Sequence, residues 1–221
     1  MNTAAAPFPA DALRRALRLY AVTDRAWTGR QALPEQVEAA LRGGATCLQL
    51  REKELGADAF LAEALDVRRL CMRHGVPMIV NDDVDVALRA GADGVHIGQS
   101  DRPAADVRRQ LGPGRILGVS AQTVEQAVAA ERAGADYLGV GAVFPTSTKR
   151  DADAVPLAAL RAICAAVRIP VVAIGGIGAG NLGQLRGSGI VGVAVVSALF
   201  AQRDIESAAR ALSAQTREVF S

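Results

Sequence analysis

A chain of 221 residues, half of them apolar, can bury a substantial core, and one barrel domain is as plausible as two small ones. The formal net charge of +2 excludes a global polycation built for nucleic acid, so any anion recognition has to be local. No apolar run is long enough to span a bilayer, and Cys47, Cys71 and Cys164, widely spaced and without a Cys-x-x-Cys pair, read as reduced core residues of a cytoplasmic protein.

The chain opens on MNTAAAPFPA, which has neither a basic n-region nor a continuous apolar h-region. Residues 1–12 are therefore expected to be a frayed lead-in rather than a signal peptide. Short β-rich runs then alternate with helical patterns. Strands are expected at 17–22, 46–51, 77–81, 94–96, 116–120, 137–140, 170–174 and 192–195, eight in all. Pro34 suits the first turn of a helix that carries Val37, Ala40 and Leu41 and stops at Gly43-Gly44. Phe60, Leu61, Ala64, Leu65 and Cys71 form the next stripe, closed by Gly75. Ala-rich segments at 123–133 and 157–167 repeat the pattern, and 205–219 is a last amphipathic helix. From Asp24 to Ser197 there are 173 residues across seven strand-to-strand units, about 25 each. That is the size of a strand–loop–helix–loop module in a (β/α)8 TIM barrel of minimal length. A doubly wound open sheet is the alternative, but it usually has fewer strands and one dominant Gly-rich first turn. No linker or charge run divides the chain, so a single domain over 1–221 is expected.

In such a barrel the active site is assembled at the C-terminal ends of the strands. At the end of the second, Leu48 and Leu50 alternate with Gln49, Arg51 and Lys53, which puts three long polar side chains on the inner face. After strands three and four come Asn81-Asp82-Asp83 and GVHIGQSD, the latter ending at Asp101. Carboxylates beside cations suit a divalent metal bridging acidic side chains to a diphosphate, since Mg²⁺ takes oxygen ligands and keeps several waters. The plainer reading makes Asp82 and Asp101 N-caps of the following helices. His96 stands alone in its segment and is given no chemical role, and Ser120 places a hydroxyl at the fifth strand tip. After strand six, Thr146, Ser147, Thr148 and Lys149 form a polar loop suited to cradling an anion, on a stretch from 141 to 156 that is a candidate lid. A solvated turn is the alternative. Gly175-Gly176 after strand seven, with Val196-Ser197 after strand eight, makes a second anion site, because glycines let a phosphate approach backbone N–H groups. Two phosphorylated substrates fit this layout better than one.

The motifs YAVTD at 20–24, QLREK at 49–53, NDD at 81–83, DGVHIGQSD at 93–101, GVS at 118–120, DYLGVGAVFPTSTK at 136–149, AIGGI at 173–177 and VAVVSAL at 193–199 span nearly the whole chain in order. In this the sequence resembles the thiamine-phosphate synthase family, also called thiamine-phosphate pyrophosphorylase. The resemblance implies a transferase that joins 4-amino-2-methyl-5-hydroxymethylpyrimidine diphosphate to 4-methyl-5-(2-phosphoethyl)thiazole, or to its 2-carboxy form with decarboxylation. The products are thiamine phosphate and diphosphate. It further implies that Gln49, Leu50, Arg51, Glu52, Lys53, Asn81, Ser120 and Lys149 bind the pyrimidine diphosphate, with Arg51, Lys53, Ser120 and Lys149 serving catalysis. Asp82 and Asp101 would hold one Mg²⁺ per subunit, and Thr146, Ser147, Thr148, Gly176, Val196 and Ser197 the thiazole phosphate. Gln122 and Asp83 stand where relatives often carry histidine and arginine. The implied partners are small-molecule substrates, with no nucleic acid and no membrane, and monomer and homo-oligomer are both left open. Two rival readings are a thiazole tautomerase on the same barrel and a non-catalytic phosphate-ligand sensor. The tautomerase would not need paired metal carboxylates or QLREK, and this chain has both; for the sensor, nothing in the sequence suggests a partner surface or a DNA-binding module.

Overall fold

The computed structural model describes residues 8–146 and 154–220. Its strands are short apolar runs such as MIVN, VVAI and GVAV, the composition expected where both faces are covered. They are β1 (Leu19–Val22), β2 (Cys47–Leu50), β3 (Met78–Asn81), β4 (Gly94–Ile97), β5 (Ile116–Ala121), β6 (Tyr137–Val140), β7 (Val171–Ile174) and β8 (Gly192–Val195). Each pairs in parallel with the next, and β1 pairs with β8, so the sheet closes into a barrel. Closure leaves no sheet edge and creates an inner and an outer face.

The two faces divide the strand residues by parity. Leu19, Ala21, Leu48, Leu50, Val80 and Val95 belong to the outer layer, packed with Val37, Ala40, Ala64 and Val67 of the surrounding helices. Tyr20, Val22, Cys47, Ile79, Ile116, Tyr137, Val172 and Ala194 fill the inside. Gln49, Arg51 and Lys53 accordingly face the cavity at the strand ends while Leu48 and Leu50 face the helices.

The helices are α1 (Ala10–Ala16), α2 (Leu33–Arg42), α3 (Ala57–His74), α4 (Val84–Ala90), α5 (Ala104–Leu111), α6 (Val124–Arg132), α7 (Leu157–Ala166), α8 (Ser197–Phe200) and α9 (Ile205–Val219). The α2 entry is fastened by Glu35, whose Oε2 accepts from the Ala32 N–H at 3.3 Å. After β7 a short 3-10 turn, Leu182–Leu185, takes the place of a full helix.

One expectation is corrected. The segment 1–12 is not all lead-in, because α1 begins at Ala10. Leu13 and Leu17 are buried and join the inner cluster with Tyr20, Cys47 and Ile116, so this helix closes the barrel end opposite the candidate site. A seven-residue helix gains those apolar partners only once the barrel has closed, which is why local pattern does not reveal it.

Candidate active site

The rim is built from the ends of all eight strands, around a cavity of about 430 Å³. At the β1 end, Thr23 is fully buried and its hydroxyl accepts from the Arg51 N–H at 2.9 Å. Asp24 accepts from Ala26 N–H at 2.9 Å and pairs with Arg51 Nη1 at 3.3 Å. The first strand's loop thus holds the second strand's loop in place.

Glu52 carries this further. Its Oε1 accepts from three successive backbone N–H groups, those of Lys53 (2.7 Å), Glu54 (2.6 Å) and Leu55 (3.1 Å). Its Oε2 accepts from Arg25 at 2.5 Å, and Arg25 also pairs with Glu63 at 2.8 Å. Burial alone would raise the Glu52 carboxyl, but the backbone donors and the Arg25 guanidinium outweigh it and hold the group below the usual range. The Glu52 side chain is 2% exposed and does not line the cavity. Leu50 is likewise turned outward into the helix layer. Within QLREK the side chains of Gln49, Arg51 and Lys53 reach the cavity, as the strand period predicts, while Leu50 turns outward and Arg25 draws Glu52 aside.

At the β3 end, Asp82 has φ of 63°, the one positive-φ position outside glycine among the described residues. Aspartate tolerates that region better than most residues, and such outliers gather at functional sites. The turn is pinned by Asp82 N–H to His96 O at 2.8 Å and Asp83 N–H to Asn81 O at 2.7 Å. Asp83, not Asp82, caps α4 by accepting from Val86 N–H at 2.8 Å. Asp101 is no helix cap either. Its Oδ2 accepts from Gly98 N–H at 2.6 Å, closing the β4 loop, and α5 starts after Pro103 without a side-chain cap.

Asp82 and Asp101 therefore meet over the rim where Lys53 Nζ stands 3.9 Å from Asp82 Oδ2. Burial first, and then the neighbouring Asp101 carboxylate, push the Asp82 carboxyl from 3.8 up to about 6, against the pull of Lys53 and Arg51. Two carboxylates crowded in this way, with water access, suit a hard divalent cation. Among the described residues no group of three His, Cys, Asp or Glu side chains is placed to hold a metal, so remaining ligands would have to come from water or substrate.

Asn81, Ser120, Thr146, Gly176, Val196 and Ser197 line the same cavity. Ser120 Oγ lies 3.0 Å from His96 Nε2, and Gln49 Nε2 donates to the Tyr20 hydroxyl at 2.8 Å. Gln122, also in the lining, places its Nε2 3.4 Å from Gly141 O. Gly176 has φ of 64°, and a Cβ there would meet Pro145 O at 2.4 Å and Phe144 O at 2.8 Å, so only glycine fits. Asn181 braces that turn, donating to Gly176 O at 2.8 Å and accepting from Gly178 N–H at 2.9 Å. Ser147, Thr148 and Lys149 lie outside the described residues. Sequence reasoning missed Thr23, Arg25, His96, Tyr20, Tyr137 and Asn181. Tyr20 and Tyr137 could have been found from inward-facing parity, whereas Arg25 and Asn181 leave no periodic signal.

A family model described as thiamine monophosphate synthase matches residues 19–199. The thiamine-phosphate synthase of Ruminiclostridium cellulolyticum is 52% identical over 194 residues, covering 88% of this chain and 92% of that protein. Thiamine-phosphate synthase 2 of Streptococcus pneumoniae is 45% identical over 94% of this chain and 99% of its own length. Among solved structures, the thiamine phosphate pyrophosphorylase of Pyrococcus furiosus superposes with a TM-score of 0.88 at 39% identity, covering 95% of this chain and all of that one.

Proposed function

The chain belongs to the thiamine monophosphate synthase family, and from that membership and the rim geometry we propose that it makes thiamine phosphate. The pyrimidinylmethyl group of 4-amino-2-methyl-5-hydroxymethylpyrimidine diphosphate passes to 4-methyl-5-(2-phosphoethyl)thiazole, or to its 2-carboxy form with decarboxylation, and diphosphate leaves. The observation that carries this reading is that one cavity is lined both by Arg51, Lys53, Asp82 and Asp101 and by Gly176, Val196 and Ser197. Two anion-handling walls thus face one another across a space sized for two small substrates.

The chemistry follows from those residues. Charge builds on the departing diphosphate, and Arg51 and Lys53 on the cavity wall face it as fixed positive charges. Asp82 and Asp101 would hold Mg²⁺, which when bound supplies a Lewis acid for the leaving group. The family's route is dissociative: the C–O bond to diphosphate breaks first, and the ring amino group helps the methylene carry positive charge. The thiazole nitrogen then attacks with its own lone pair, so no general base is needed. Holding both substrates in one cavity supplies orientation. Thr146 and the Gly176 backbone would seat the thiazole phosphate, while Gln49 and Ser120 would grip the pyrimidine. No helix among the described residues is long and apolar enough to cross a membrane.

The test mixes purified protein with both substrates, with and without Mg²⁺. Thiamine phosphate and diphosphate are expected in equal amounts only when the metal is present. The Asp101→Ala variant is expected to lose at least 100-fold in rate, on the scale of removing one major electrostatic contributor. Wild-type rates in that variant, or product without metal, would overturn the metal role; no product under any condition would overturn the function.

A further inference from the structure

Inside the barrel, at the cavity floor, five polar side chains from five different strands form one continuous chain of hydrogen bonds. Gln49 Nε2 donates to the Tyr20 hydroxyl at 2.8 Å, and the Tyr20 and Tyr137 hydroxyls are 2.8 Å apart. Tyr137 O lies 2.9 Å from His96 Nδ1, and His96 Nε2 lies 3.0 Å from Ser120 Oγ. Gln49, Tyr20, His96 and Ser120 all line the cavity; Tyr137 is fully buried and does not.

We propose that Tyr137 is a positioning residue for the pyrimidine substrate: through Tyr20 and His96 it couples Gln49 to Ser120, so that the way the Gln49 amide is turned sets whether Ser120 offers its hydrogen or a lone pair to the cavity. This rests on the pyrimidine-diphosphate reading above and deepens it by assigning what orients the substrate's ring.

Each hydroxyl carries one hydrogen, and so does a neutral imidazole. Gln49 donates to Tyr20, so the Tyr20 hydrogen goes to Tyr137 and the Tyr137 hydrogen to His96 Nδ1. The imidazole hydrogen then sits on Nε2 and is donated to Ser120 Oγ. That leaves the Ser120 hydrogen for a ligand at one end, and Gln49 Oε1 with the second amide N–H at the other. Turning the Gln49 amide over reverses every link and exchanges both ends together. The direction of the chain thus ties the group that Ser120 shows the ligand to the way the Gln49 amide is turned. A 4-aminopyrimidine, with an amino donor and ring-nitrogen acceptors, has the matching requirement.

Two further observations support the relay as a built feature. Burial, and after it nearby charge, holds both phenols well above their ordinary range, so they remain protonated donors. Room for the rings is made by glycines within strands, where glycine weakens the sheet. A Cβ at Gly118 would lie 2.2 Å from Tyr137 Cζ and 2.4 Å from its hydroxyl oxygen, and one at Gly139 would lie 3.0 Å from His96 Cε1.

The experiment compares wild type with Tyr137→Phe by ¹⁵N NMR of the His96 ring and by steady-state kinetics. Wild type is expected to show a single tautomer with hydrogen on Nε2, and the variant a mixture. The variant's KM for the pyrimidine diphosphate is expected to rise about 5- to 30-fold, the range of one or two oriented hydrogen bonds, with KM for the thiazole phosphate within about twofold. Gln49→Ala and Ser120→Ala should be non-additive in the wild-type background and closer to additive when combined with Tyr137→Phe. A merely structural tyrosine would lower the melting temperature without changing that coupling. An unchanged tautomer together with unchanged coupling overturns the proposal. If Tyr137→Phe does not fold, Tyr20→Phe cuts the same chain one link earlier and is held to the same outcomes. Should wild type make no thiamine phosphate, the proposed function fails while the tautomer comparison still decides the relay.

Discussion

Asp82 sits at 63° in φ, half-buried, with a second carboxylate in front of it. Its acid group is raised to about 6, so the folded state binds a proton between roughly pH 4 and 6 that the unfolded chain has already released. Stability contributed by this position is therefore lost as pH rises through that window, and the cost is fully present at pH 7. The Asp82 side chain is 37% exposed, which discounts the electrostatic cost to about 1 kcal/mol. Asp82→Asn, whose side chain also tolerates positive φ, is expected to raise the melting temperature by about 2–4 °C at pH 7.5 and to leave it unchanged at pH 4. The same variant is expected to lose metal-dependent turnover. A lower melting temperature at pH 7.5 would mean that the carboxylate supports the fold instead of straining it.

The elements that carry the site are held by loops rather than by the strands alone. The β2 loop bearing Arg51 and Lys53 is wrapped around the Glu52 carboxylate, and Arg25 from the β1 loop fixes that carboxylate from outside the cavity. Arg25→Ala leaves a buried carboxylate without its cation, so Glu52 should turn toward solvent and release the loop. We expect KM for the pyrimidine diphosphate to rise about tenfold, equivalent to ~1.4 kcal/mol, with thiazole phosphate saturation unchanged. An equal effect on both substrates in a kinetic comparison would place Arg25 in global stability instead. The period of two correctly separates Gln49, Arg51 and Lys53 from Leu48 and Leu50. Period alone could not tell Glu52 apart, because its direction is decided by Arg25, 27 positions earlier in the chain.

At the scale of the whole molecule, the barrel has a functional mouth and a sealed base. The base is α1, with Leu13 and Leu17 inserted among the inner residues of β1, β2 and β5. Bottom-face packing of such barrels serves stability and not chemistry. Leu17→Ala should cost about 2–5 kcal/mol and lower the melting temperature by roughly 5–15 °C, while kcat/KM for both substrates, measured well below that temperature, stays within twofold. A selective loss for one substrate would show that the base communicates with the mouth.

All eight strands, their parity and the positions of the rim loops could be read from the chain, since apolar runs, turn residues and a repeat of about 25 residues are local quantities. What only closure decided are the relations between distant strands. It made α1 the plug and brought Tyr20 and Tyr137 together across 117 positions of sequence. Those pairings depend on the register and tilt of a closed sheet, and no window of sequence contains them.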